Sequence, residues 1–180
     1  VKGFRLLAKA GIDLHPAVRG TPMPPCDESA RTLLGHAWKS MNEGRLTDAF
    51  KQLTEIRRDH PGIPQVISAM ISACQKIGRG DEVPGLVAEL HKLHETNPSA
   101  ASTESLLWGL TTSGQSIEAL NLAREYTVVE PRSIDGWDVR WRMAFKLGNW
   151  DDVRRAAPVF LGLMSTSGPT RSAWAARNLA

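Results

Sequence analysis

The 180-residue chain holds a single tyrosine, only two cysteines, and no apolar run longer than about nine residues. That run, around Val66 to Cys74, falls well short of the roughly 20 apolar residues a membrane helix needs. Cys26 and Cys74 lie 48 residues apart in unlike surroundings. One disulfide is open to them, but nothing resembles a secreted disulfide framework, and two reduced thiols are the expectation. Charge of one sign is also lacking: 22 Lys and Arg stand against 19 Asp and Glu, a net +3. Charge alone therefore does not argue for nucleic acid. There is no Walker loop, no GxGxxG, and no Ser–His–Asp constellation with supporting context. His91 and His94 are three apart on a helix, flanked by Glu89 and Glu95. A structural zinc site takes four ligands, and neither a cysteine nor a further histidine is clustered nearby. The pair is read as part of an exposed polar helix face. Neither a catalytic site, a cofactor nor a metal is expected. With no membrane span, a cytoplasmic setting is favoured, although a processed or longer parent chain would carry its own targeting signal. Such a parent is suggested by the start at Val1 and the end inside a helical pattern at Asn178-Leu179-Ala180.

What the chain does have is a period. Gly44, Gly78, Gly114 and Gly148 are 34, 36 and 34 residues apart, and each separates two apolar helical patterns. Five residues after the glycines come Ala49, Val83, Ala119 and Val153. Seventeen residues after Gly44 and Gly114 come Pro61 and Pro131. Glycine permits a tight turn between antiparallel helices, and the closing proline stops the second helix. The four units are placed at about 27–61, 62–98, 99–131 and 132–169, with a capping helix over 170–180. Ahead of them, 1–26 reads as a short N-terminal helix, VKGFRLLAKA, followed by a Pro-rich linker. Pro158 falls well inside the last second helix, so a kink or a late start is expected there.

A register of about 34 residues with Gly, then small Ala, then Pro resembles the tetratricopeptide repeat (TPR) family, a helix–turn–helix unit. Trp137 matches the first tryptophan of the family pattern, and Leu34-Gly35 looks like its Leu-Gly pair, two residues early. The tyrosine of the first helix is replaced by Ser40, Cys74, Leu110 and Ala144. The resemblance implies an all-α superhelix of about four stacked helix pairs, with first helices lining a concave groove and second helices forming the outer wall.

The family's groove positions fall on Leu34, Trp38 and Met41; on Ser68, Ser72 and Gln75; on Glu104, Trp108 and Thr111; and on Asp138, Arg142 and Phe145. Trp38, Ser72, Gln75, Trp108, Arg142 and Phe145 are the candidate partner-binding residues, because aromatic anchors give contact area while Arg or Gln can hold a backbone or a carboxylate. The competing expectation is that Trp38 and Trp108 are packed in the core. Chaperone-binding members of the family carry a Lys/Asn/Arg clamp for a C-terminal carboxylate. Its positions are Leu34, Trp38 and Ser72 here, so that clamp is missing. The function implied is a non-catalytic scaffold that binds a protein or peptide segment. Two alternatives remain: a regulatory or substrate-docking region of a larger enzyme, and an RNA-binding helical repeat. Nucleic acid is not expected, because base-reading repeats need a regular polar pair in every unit and none recurs.

Overall fold

A computed structural model of the chain describes residues 28–166. The N-terminal helix and linker expected over 1–26 and the capping helix expected over 170–180 lie outside the described residues. Within them are eight α-helices: α1 Glu28–Asn42, α2 Leu46–Asp59, α3 Pro64–Lys76, α4 Val83–Thr96, α5 Ala100–Ser113, α6 Ser116–Val129, α7 Ile134–Lys146 and α8 Trp150–Thr166. A single 3-10 turn, Gly80–Glu82, precedes α4. No described helix is long and apolar enough to cross a membrane. The architecture is an all-α superhelix of TPR-like helix pairs.

The helix starts follow from local chemistry. Pro64 sits in the first turn of α3, where its missing N–H costs nothing. Ser99 caps α5 in a reciprocal box with Ser102, and the Ser133 hydroxyl accepts from the Gly136 amide at the start of α7. The ends are equally local. Gly44, Gly78, Gly114 and Gly148 all have positive φ, between 69° and 84°. The amide following each glycine donates to the carbonyl five residues earlier: Arg45 to Ser40, Arg79 to Cys74, Gln115 to Leu110, and Asn149 to Ala144, at 2.8–2.9 Å. This is the Schellman closure of a helix end. Its four acceptors are the residues that stand in place of the family's tyrosine, and all four are buried.

Packing sets the curvature. Each helix packs on its neighbours in sequence, and the first helices also pack on one another, α1 on α3, α3 on α5, and α5 on α7. The second helices approach one another less closely and are joined mainly through polar side chains. The apolar core runs between the layers through Leu53, Ile71, Leu90, Leu107 and Leu110, all fully buried. Gly109 lets α5 come close: a Cβ there would sit 2.7 Å from Leu90 Cδ1 and 3.2 Å from Ile71 Cδ1. Ala49 and Ala119 are fully buried in their second helices. Around Pro158 the outcome departs from a late start: α8 begins at Trp150 and continues through the proline to Thr166. Phe160 and Met164, beyond the proline, are buried against Ile134, Trp137 and Trp141, and this packing outweighs one lost backbone bond.

Polar ties reinforce the joints between units. Arg57 of α2 pairs with Glu89 of α4, and His91 of α4 with Glu118 of α6 at 3.3 Å. At the last joint Asp152 of α8 accepts from Arg124 of α6 at 2.5 Å and from Arg140 of α7 at 2.7 Å. Arg140 also donates to the Thr127 hydroxyl at 2.9 Å. Burial pushes the Asp152 carboxyl up, but the bonds from Arg140 and Arg124 outweigh it and hold it below the ordinary range.

Two tests follow from this architecture. Gly35→Ala, on an exposed helical turn with open space around the new methyl, is expected to stabilise by about 0.5–1 kcal/mol. Gly114→Ala, at φ +84°, is expected to destabilise by about 1–2 kcal/mol. Equal melting shifts for the two would contradict the turn geometry. For Asp152, a depressed folded-state pKa means stability that is present above the unfolded value and lost as pH falls through the folded one. Asp152→Asn is therefore expected to cost roughly 1–3 kcal/mol at pH 7, with the gap to wild type closing below about pH 4. Denaturant titrations at pH 7 and pH 3 check this, and a constant gap would refute it.

Candidate functional site

The first helices place a groove of about 450 Å³ across all four units. Leu34 and Trp38 come from α1, Gln65 and Ser68 from α3, Glu104, Ser105 and Trp108 from α5, and Asp135 from α7. Ala100 and Ala101, at the start of α5, complete the lining. Trp38 is 41% exposed, and Trp108 is half-buried with one side on the core. Neither ring is enclosed between units.

Glu104 is held in place rather than loose on the helix. It lies one turn before Trp108, on the same face of α5. Its Oε1 accepts from the Tyr126 hydroxyl at 3.0 Å and the Ser133 hydroxyl at 2.9 Å. Burial, reinforced by the Glu104 carboxylate, pushes the Tyr126 hydroxyl far up, so it stays a donor. Asp135 lies in the first turn of α7 and has no ion-pair partner among the described residues.

The other candidates go elsewhere. Ser72 is half-buried on α3 and does not line this groove. The Gln75 side-chain amide donates to the Thr112 carbonyl, a joint between the second and third units. Met41 and Asp138, read as groove positions from the shared register, are buried at 5% and 2% exposure. Arg142 does not stand ready for a ligand: its Nε donates to Asp138 Oδ1 at 2.7 Å, and its guanidinium lies 5.7 Å from the Trp141 ring. Phe145 is 57% exposed and meets Trp150 edge-on at 5.5 Å, on the side of α8. The shared register places Leu34, Trp38, Ser68, Glu104 and Trp108 in the groove, and none of its fourth-unit positions, Asp138, Arg142 and Phe145. Gln65, missed from the sequence, sits one turn before Ser68 and carries no signal beyond that spacing.

Between α4 and α6, on the side of the second helices, a further cleft of about 460 Å³ opens over α5. Its apolar part is Leu106, Leu110, Ile117 and Leu122, and Glu95, Glu118 and Glu125 line it as well. His94 does not lie on an exposed face as expected: it is 6% exposed, with Nδ1 3.5 Å from the Ser102 hydroxyl and 3.4 Å from that of Thr103. The gap between α4 and α6 explains this, since the side chain turns inward to fill part of it. No group of three or more possible metal ligands occurs among the described residues. Cys74 is fully buried, and burial pushes its thiol up, away from the reactive thiolate.

Asp138 titrates in the opposite sense to Asp152. Burial pushes its carboxyl up, and the bond from Arg142 does not fully compensate. Its folded form therefore gains stability at low pH and loses it as pH rises through the raised value. Arg142→Ala would leave this carboxylate buried without its cation, held only by the Trp141 indole N–H at 3.0 Å, at a cost of about 3 kcal/mol at neutral pH. The cost is expected to shrink as acid protonates Asp138. Melting curves at pH 7 and pH 4 check this, and a loss independent of pH would argue against the pairing.

No protein-family model and no curated protein matches the chain. Solved structures do. MamA of RS-1, in the form of the ArsTM double mutant, aligns over 76% of this chain and 75% of its own, at 14% identity and a TM-score of 0.51. A MamA fragment running from residue 41 to the end, from Desulfovibrio magneticus RS-1, aligns over 78% of this chain and 98% of its own at 14% identity, with a TM-score of only 0.32. At that identity the first alignment speaks for the fold: this chain is similar to MamA in being a TPR-like superhelical repeat.

Proposed function

We propose that the chain is a non-catalytic protein-interaction scaffold whose concave groove receives a segment of a partner protein. The observation that carries this reading is that Trp38 and Trp108, seventy residues apart, line one groove. A rigid aromatic ring left open beside a concave surface supplies contact area at low entropic cost, which is why tryptophan is enriched among binding hot spots. The groove touches all four first helices, so an extended segment of eight residues, about 26 Å long, can engage several units at once. Nucleic acid fits poorly: among the described residues no Lys or Arg lines the groove, and two carboxylates do. Arg142 drops out as a free anchor because Asp138 and Trp141 occupy its guanidinium.

The test compares two exposed tryptophans. Trp38 lines the groove, and Trp150, 55% exposed, lies outside it against Phe145. Trp38→Ala is expected to weaken partner capture by about 2 kcal/mol, while its melting temperature stays close to wild type. Trp150→Ala should leave capture unchanged. Quantitative pull-downs from native lysate, paired with thermal melts of both variants, distinguish the outcomes. Equal recovery of every protein by wild type and Trp38→Ala would remove the groove from the interaction.

A further inference from the structure

The cleft between α4 and α6 shares no lining residue with the groove of the first helices. Three helices each turn one stripe toward it. Leu106 and Leu110, one turn apart on α5, form the floor. Leu122 and Ile117 extend the apolar surface along α6, where Ile117 stands 68% exposed. The α6 stripe from Glu118 to Glu125 covers two turns, about 10 Å at 1.5 Å per residue. The cleft is thus a trough that follows the helices, with a volume of about 460 Å³ for apolar side chains.

Its charge is of one sign. Glu95 on the α4 wall and Glu125 on the α6 wall are both exposed and take no ion pair among the described residues. Glu118 is already met by His91 at 3.3 Å, and His94 is held by the hydroxyls of Ser102 and Thr103. Among the described residues no Lys or Arg lines the trough, although the chain as a whole is cationic.

We infer that this trough is a second docking site, for a basic amphipathic helix of a partner protein. The apolar stripe of such a helix would lie over Leu106, Leu110, Ile117 and Leu122, and its flanking Lys or Arg would pair with Glu95 and Glu125. The floor decides the conformation. It offers leucine side chains of a helix whose own backbone is already bonded, so an extended segment would bury amide groups without partners there. A helix brings its backbone bonds with it and presents only side chains, at i, i+3, i+4 and i+7. The rim decides the sign. Long basic side chains lay their methylene stems along an apolar edge and carry the charge to a carboxylate beyond it. An acidic or neutral helix would cover the same floor without that gain, and an acidic one would meet repulsion from both walls.

A displayed library of helical 14-residue peptides, stapled on one face and randomised on the other, tests the inference. It is selected on the full chain and counter-selected on Asn121→Trp, which fills the trough from an exposed position of α6. Circular dichroism first establishes that this variant is folded; if it is not, Ile117→Ser takes its place. The retained peptides are expected to share an apolar i, i+4 pair flanked by Lys or Arg. Replacing the basic residues by citrulline, or by norleucine for lysine, should weaken binding at least fivefold in titration calorimetry. The Glu95→Gln, Glu125→Gln double variant should remove most of that difference and most of the salt dependence, while binding the neutral peptide as wild type does. Trp38→Ala should bind the basic peptide unchanged. Retained peptides with acidic or uncharged flanks would overturn the charge assignment, and an undiminished preference for basic peptides in the double variant would overturn the pairing with Glu95 and Glu125. Loss of binding in Trp38→Ala would place the peptide in the groove and overturn the second site. Failure to recover any peptide that Asn121→Trp rejects would overturn it as well, and would leave the groove reading standing.

Discussion

Everything in this molecule hangs on the left-handed glycine that closes each first helix. At φ between 69° and 84° the chain reverses within two residues, and the next amide reaches back to a carbonyl five positions earlier. A β-branched residue would resist that conformation, and any longer loop would let the helices part. Because the bond is made by backbone alone, the side chain at the acceptor position is released from the turn. Ser40, Cys74, Leu110 and Ala144 differ in polarity and size yet serve the same closure. This is how a repeat survives the loss of a characteristic aromatic: the turn is kept by geometry, and burial fills what remains of the position.

From the closed pair, curvature follows by packing. A helix pair cannot bury its apolar face alone, so it must stack. Here the first helices stack on each other more closely than the second helices do. The array is therefore tight on one side and open on the other. The tight side presents a continuous groove over four helices, and the open side leaves a wedge between α4 and α6. Part of that wedge is filled by His94, whose ring nitrogen meets the hydroxyls that cap and open α5. One geometric fact thus accounts for a groove along the first helices and for a buried histidine on the other side.

The sequence made the period, the turn glycines' spacing and the helix pairs readable, because each depends on contacts within about thirty residues. It also placed Trp38, Ser68, Glu104 and Trp108 on the first helices. It was less able to tell which of these share a surface. Asp138 and Met41 occupy the expected register but are buried, while Asp135, one turn away from Asp138, opens onto the groove. That difference is a property of packing over seventy residues rather than of local pattern. Arg142 shows a second limit. A cation beside two aromatic residues reads as an anchor until the structure supplies its carboxylate one helical turn away.

The distribution of charge follows the same division. Where carboxylates are buried at joints, they are met by arginines: Asp152 by Arg124 and Arg140, Asp138 by Arg142. Such pairs offset the desolvation of their own charges and fix the angle between units, and add little net stability beyond that. The carboxylate of Asp135 has no such cation among the described residues, and Glu104 is steadied on one oxygen by the hydroxyls of Tyr126 and Ser133. The arginine-paired carboxylates thus belong to the frame of this superhelix, while Glu104, oriented by Tyr126 and Ser133, lies with Asp135 along the groove of the first helices.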